Sequence, residues 1–207
     1  MHAAIALSGD DDDDLDRARL RFAPPDNEVP AAVGVSGVIG RSPDAAVLLV
    51  GLSRCTVGLQ IDLAIRLRLD PEPSDDVHAR FHAGLLVGVE LADGRTVVAG
   101  RPAWPAPDGP FLAYRGGGGG GREWSTQLWL TPEPPPGDLV VVVAHPGLGI
   151  DESRVTVAAA ALRSAAGRTE VLWPREPERP RHAVEPPPVD VPPGGWFERA
   201  FADPTTA

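Results

Sequence analysis

Residues 57–69 read VGLQIDLAIRLRL, and every odd-numbered position in this stretch carries an apolar side chain. The even-numbered positions hold glycine, alanine and polar or charged residues. Successive side chains of a β-strand point to opposite faces, so strict alternation places all the apolar groups on one face. A helix would spread the same residues around its circumference. The stretch therefore predicts a long antiparallel strand with one face on the core and one face in water.

Other segments on both sides of this stretch have strand character. Residues 85–91 alternate again and lead into Asp93-Gly94, a pair typical of a hairpin turn. The run 139–143 is apolar without alternation, which predicts a central strand buried on both faces. Further β-branched or apolar runs lie at 33–39, 45–52, 111–115, 122–130 and 154–157.

One segment favours a helix. Residues 158–168 are rich in alanine and reach Gly167, which can end a helix. About eight or nine short strands with a single short helix predict an all-β fold, a two-sheet β-sandwich of mostly antiparallel strands.

The composition divides the chain into three parts. Residues 1–28 contain five consecutive aspartates, Asp10–Asp14, which repel one another, and we expect an acidic, largely disordered segment there. Residues 29–174 form the predicted β-sandwich domain. Residues 175–207 are dominated by proline and charge, which predicts a disordered tail with an aromatic patch near its end.

Charge and residue usage exclude several classes of function. The formal net charge is −10, which disfavours nucleic acid because binding to phosphates depends on basic side chains. All 19 basic residues are arginine, so a lysine Schiff base and a phosphate-loop lysine are excluded. The single cysteine, Cys55, excludes an internal disulfide. Neither a signal peptide nor a membrane span is indicated, so we expect a cytoplasmic protein without membrane or cofactor.

Five short motifs resemble those of a known group of sequences. They are the stretch Gly116–Trp124, the triplet Leu128-Trp129-Leu130, the turn Pro134-Pro135-Pro136-Gly137, the pair Gly149-Ile150 and the closing Leu172-Trp173-Pro174. Together they resemble an uncharacterised group of hypothetical proteins from bacteria with GC-rich genomes. The resemblance covers about residues 18–174 and implies a soluble bacterial all-β protein. It implies no activity and no catalytic residues.

The glycine run Gly116–Gly121 lies between Arg115 and Arg122. Backbone N–H groups of such a loop can form an anion site, with the two arginines as clamps. A long glycine run also loses much conformational entropy when it is ordered, which favours a flexible hairpin loop. We expect the flexible loop and keep the anion site as the alternative.

A second candidate site is a pair of histidines, His78 and His82. Their spacing would place two zinc ligands on one face of a helix, but no helix is indicated there. Satisfied or exposed histidines are the favoured interpretation. A small-ligand-binding or metal-dependent enzyme that uses these histidines, or the glycine loop, is the alternative function.

Four aromatic residues are the signals on which the favoured function depends. Trp129 falls on the strand face opposite Trp124, so it is either a surface aromatic of a binding patch or a core residue covered by a loop or the tail. Three more aromatics, Trp196, Phe197 and Phe201, lie within six residues of the tail and favour docking on this domain or on a partner. We therefore expect a non-enzymatic protein-interaction module.

Overall fold

A computed structural model of the protein describes residues 9–71, 84–101 and 109–176, and for residues 9–15 it describes the backbone alone. Within these ranges the chain forms two α-helices, a short 3₁₀ turn at Pro146–Leu148 and twelve strands. The helices are α1 (Gly9–Phe22) and α2 (Ala159–Ala166). The strands are β1 (Glu28–Val29), β2 (Ala31–Ala32), β3 (Gly37–Arg41), β4 (Ala45–Cys55), β5 (Gly58–Leu67), β6 (Leu86–Glu90), β7 (Thr96–Val98), β8 (Phe111–Gly120), β9 (Glu123–Thr131), β10 (Leu139–His145), β11 (Ile150–Val157) and β12 (Glu170–Val171).

Two antiparallel sheets make up most of the fold. The larger sheet has the order β2-β4-β5-β9-β8, with β3 also paired to β4, and the smaller has the order β11-β10-β6-β7. Strands β1 and β12 pair as a separate ribbon. Buried apolar side chains from both sheets belong to one hydrophobic cluster. The predicted all-β, sandwich-like fold is therefore confirmed.

The burial of side chains along β5 confirms that the apolar positions of its alternating pattern face the core. Leu59, Ile61, Leu63 and Ile65 are each at most 1% exposed and belong to the core cluster. Burying one such side chain stabilises the fold by about 1.5–3 kcal/mol. Leu69 lies beyond the end of the strand and is exposed.

Strand β10 is central, as predicted, because it pairs with β6 on one side and with β11 on the other. The prediction that both of its faces are buried is wrong. Val141 and Val143 are buried in the core, whereas Val140 and Val142 on the opposite face are only half-buried. A run of valines suits a strand with one covered face as well as one with two, so composition alone did not separate the two cases.

The N-terminal segment differs from the expected disorder, because residues 9–22 form α1. The helix packs on the large sheet through its last turns. The indole Nε1 of Trp129 donates a hydrogen bond to the carbonyl of Leu20 at 2.8 Å, and the rings of Phe22 and Phe111 meet edge to face at 5.3 Å. These tertiary contacts outweigh the local repulsion on which the prediction of disorder depended.

Helix α2 confirms the helix predicted at 158–168, although the fold has two helices in the described residues and not one. The N-cap residue, Ala158, has no side-chain oxygen, and the cap comes from elsewhere in the chain. The carboxylate of Asp138 accepts a hydrogen bond from the backbone N–H of Ala159 at 2.8 Å. A carboxylate at this position also interacts favourably with the helix dipole.

The first residues of the predicted tail, 175 and 176, are described, and the first of them contacts helix α1. Arg175 is described, and its Nε lies 2.8 Å from a carboxylate oxygen of Asp16 on α1. Residues 177–207, with Trp196, Phe197 and Phe201, lie outside the described residues, as do His78 and His82. The predictions made for those residues stay predictions.

Candidate functional site

The glycine run is a strand and not the flexible loop that we expected. Gly116–Gly120 continue β8 and pair with β9, and the turn comes at Gly121, whose φ is +56°. A side chain at Gly117 or Gly119 would overlap the backbone of β9. The run therefore lets β8 approach β9 closely. The backbone amides of the run lie in the hydrogen-bonded ladder with β9. An anion site would need successive amides that point to one place, so the run does not form one.

The two arginines beside the run contact separate protein groups. Arg115 donates a hydrogen bond to the carbonyl of Phe22 at 2.9 Å, and Arg122 lies 3.2 Å from a carboxylate oxygen of Asp70. Arg115 therefore helps to hold α1 on the sheet. Arg122 connects the β8–β9 turn to the segment that follows β5. The anion clamp of Arg115 and Arg122, which was the alternative to a flexible loop, is not assembled in the described part of the chain.

Trp129 is fully buried, so its interpretation as a surface aromatic is wrong. Helix α1 covers it, whereas the sequence suggested a loop or the C-terminal tail as the cover. The six-membered ring of its indole lies over Gly58, and a side chain there would overlap the ring. Trp129 therefore seats α1 on the outer face of the large sheet, and it presents no surface to a partner.

A cleft of about 640 Å³ opens between the Pro-Pro-Pro-Gly turn, residues 134–137, and helix α2. It lies at the end of the sandwich where β4 and β9 end and β10 begins. Binding sites commonly lie where loops meet at one end of a rigid β scaffold. Besides the turn, the lining residues are Arg54, Glu133, Ala159, Leu162, Arg163 and Ala166.

Two features position the walls of the cleft. The hydrogen bond from the N–H of Ala159 to Asp138 ties the start of α2 to the residue that follows the turn. Gly137 ends the turn with a φ of +143°, and a side chain there would overlap that of Ala92. The two walls are thus attached to each other and to the sheets before any ligand arrives.

Arg54 lies at the base of the cleft and is the second-to-last residue of strand β4, just before the β4–β5 turn. Its side chain is 16% exposed, its Nη1 donates to the carbonyl of Leu162 at 2.9 Å, and its Nη2 forms an ion pair with Glu133. Burial lowers the pKa of Arg54 from its usual value. An arginine nevertheless stays protonated in proteins, so the guanidinium keeps its positive charge, which Glu133 balances in this structure.

Glu133 is more accessible than its partner, with 42% of its side chain exposed. It also lines a neighbouring groove of about 430 Å³ between α1 and the β4–β5 turn. Arg17, Leu20 and Arg21 of α1 line that groove, with Thr56, Val57, Thr131 and Pro132 opposite. The cleft and the groove therefore adjoin at Glu133, and together four arginines and one glutamate line them.

Sequence reasoning missed the residues that carry the charge of this site. Arg54, Glu133 and Arg163 belong to no motif and lie far apart in the sequence. The Pro-Pro-Pro-Gly turn and the helix were both recognised, but only as a turn and a helix. The one local signal was Asp138, an acceptor beside a turn that can cap a helix elsewhere in the chain.

Metal-ligating side chains and the thiol of Cys55 are the other candidate reactive groups among the described residues. No group of three or more His, Cys, Asp and Glu side chains there is placed to hold a metal ion. Cys55 is buried, and burial, with a smaller effect of Glu28, raises the pKa of its thiol to about 11. None of the described helices combines the length and the apolar character needed to cross a membrane.

Comparison with protein-family models, with curated proteins and with solved structures found no match. The resemblance to the bacterial group therefore stays a prediction, and the residues of the site are the basis for a function.

Proposed function

We propose that the protein is a non-enzymatic protein-interaction module whose cleft binds an extended peptide segment of a partner. The observation that carries this function is the cleft of about 640 Å³ with a half-buried, ion-paired arginine at its base. Its volume falls within the range of about 300–1,000 Å³ that is usual for ligand sites.

The walls suit a peptide chain. Three prolines form one wall, and because their rings restrict the backbone, that wall is ordered before binding. The facing wall offers the short side chains of Ala159 and Ala166, which leave space, and the buried side chain of Leu162, which is apolar. Small apolar groups beside a few fixed polar groups are typical of sites for side chains of a partner.

The polar groups of the cleft suit recognition. Arg54 and Arg163 are donors that stay charged, so they can fix a carbonyl or carboxylate of a ligand by hydrogen bonds. A permanently protonated guanidinium is a poor general acid or base at neutral pH. Binding and orientation are therefore what these residues can supply.

A peptide library displayed on phage and selected on the immobilised protein tests this function. Ala166→Trp fills the cleft, and Ala160→Trp places the same bulk on an exposed position of α2 that does not line it. We expect enriched peptides to bind the wild type and Ala160→Trp equally and to bind Ala166→Trp about tenfold more weakly or not at all. Circular dichroism melts verify that both variants are folded.

Two results would overturn the function. One is a selection that enriches no peptide. The other is a set of enriched peptides that bind Ala166→Trp as tightly as they bind Ala160→Trp, which would place their site elsewhere.

A further inference from the structure

On the basis of the peptide-binding function above, we propose that the partner segment is acidic and that one of its carboxylates takes the place of Glu133 on Arg54. The ligand class is an extended peptide with aspartate or glutamate at alternate positions. Alternate side chains of an extended chain point the same way, so such acids would all face the cleft.

The local charge balance supports an acidic ligand. The whole chain has 29 acidic residues and 19 arginines. Around the cleft and the adjoining groove four lining arginines outnumber three carboxylates: Glu133, which lines both, and Asp138 and Glu28, which accept hydrogen bonds from the backbone of the lining residues Ala159 and Thr56. Within a Debye length of about 8 Å at physiological ionic strength, a bound peptide senses mainly these nearby charges.

In the Arg54–Glu133 ion pair, a carboxylate of the ligand can replace the carboxylate of Glu133. Arg54 is mostly buried and is also held by the carbonyl of Leu162, so its position does not depend on Glu133. Glu133 is exposed enough to leave the pair and face water. An incoming carboxylate would accept the same charge-assisted hydrogen bond, so Arg54 would remain paired in both states.

Arg163 supplies a second contact. It is exposed on α2 at the rim of the cleft, and it has no ion pair and no side-chain hydrogen bond within the described part of the chain. A second acidic side chain of the peptide can therefore bind it without displacing a protein group.

Fluorescence anisotropy with a labelled, terminally blocked decapeptide that alternates glutamate and alanine tests the proposal. The matched probe alternates glutamine and alanine. We expect the acidic peptide to bind about tenfold more tightly, and we expect added salt to reduce the difference. Equal affinities for the two peptides would overturn the proposal.

Three variants separate exchange at Arg54 from general electrostatics. Glu133→Gln removes the competing carboxylate and should tighten the acidic peptide about tenfold, with little effect on the glutamine peptide. Glu152→Gln removes the same charge from an exposed position outside the cleft and should change affinity less than about twofold. Arg163→Gln, on the exposed rim, should weaken the acidic peptide about fivefold.

The outcomes also separate this proposal from the function on which it rests. If Glu133→Gln and Glu152→Gln have the same effect, or if Arg163→Gln has none, exchange at the cleft is wrong. Library peptides that require an open cleft but show no preference for acidic residues would leave the binding function standing and overturn the acidic ligand. If no peptide requires an open cleft, both fail.

Discussion

Single glycines decide how β8 meets β9. The glycines of the run are not equivalent, because a side chain at Gly117 or Gly119 would overlap the β9 backbone, whereas Gly116, Gly118 and Gly120 face open space. Only alternate positions therefore require glycine. A strand residue without a side chain is otherwise unfavourable by roughly 0.5–1 kcal/mol relative to alanine.

Alanine substitutions along β8 test this difference. We expect Gly119→Ala to lower the free energy of unfolding by about 3 kcal/mol because the strands must separate. Gly118→Ala, the matched control, should leave it unchanged or raise it by about 0.5–1 kcal/mol. Urea denaturation measures both values. Equal effects of the two substitutions would show that the run is not held as this strand.

Cys55 provides a second prediction for a single residue. Burial raises the pKa of its thiol from 9.0 to about 11, so the native protein holds little thiolate at pH 8. We expect iodoacetamide to label the native protein slowly at pH 8 and faster as the pH rises toward 11, and to label the unfolded protein readily. Mass spectrometry measures the labelled fraction.

The same shift has a consequence for stability. The thiol of the unfolded chain releases its proton at lower pH than the buried thiol, so its contribution to folding is complete below about pH 9 and is lost as the pH rises through about 11. Rapid labelling of the native protein at pH 8 would contradict the burial of Cys55.

At the scale of elements, α1 is the part of the fold that depends most on tertiary contacts. Two side chains of the large sheet, Trp129 and Arg115, donate to carbonyls of its last turns, and Arg175 pairs with Asp16. Carbonyls at the C-terminal end of a helix have no partner within the helix, so donors from the sheet satisfy them. The helix is therefore capped by the surface on which it lies.

Hydrogen exchange can test the attachment of α1. Trp129→Phe keeps a ring in place but removes the Nε1–H donor to Leu20, and we expect faster exchange of the α1 amides and a loss of about 1 kcal/mol in stability. Trp173→Phe is the control, because that side chain is 57% exposed. The amides of β5 should be unaffected in both variants. Unchanged exchange in α1 after Trp129→Phe would contradict the docking.

These elements also show what could be predicted from the sequence. Strand β5 and helix α2 were predictable because alternation and alanine content are local signals. Helix α1 and the glycine strand β8 were not, because each depends on partners distant in the sequence: Trp129 for the helix and the close backbone of β9 for the strand. The partial exposure of Val140 and Val142 on the outer face of β10 likewise depends on which distant segments cover that face.

At the scale of the whole molecule, the sandwich brings together residues that the sequence keeps apart. Arg54 comes from β4, Glu133 from the segment after β9 and Arg163 from α2. No local pattern predicts that they meet, because their contact follows from sheet order and from the docking of α2 on Asp138. The fold class was therefore predictable, and the candidate site was not.

The cleft also accounts for the interaction function without Trp129. Sequence reasoning favoured a binding module because of surface aromatics, but Trp129 lies under α1, and the tail aromatics lie outside the described residues. The proposed binding surface is therefore the cleft, which is lined by charged and apolar residues, and not an aromatic patch. Its ligand should accordingly bind through carboxylates and small apolar contacts, and its affinity should fall with salt.

A titration of the isotope-labelled protein with the glutamate–alanine peptide, followed by NMR, tests the cleft most directly. The Nε–Hε signal of Arg54 reports on its partner, and the amides of α2 report on the wall. We predict shifts of the Arg54 side chain and of residues 159–166, while the amides of Gly116–Gly120 on β8 stay unchanged. Shifts located elsewhere on the sandwich, or none at millimolar peptide, would contradict the assignment of this cleft as the binding site.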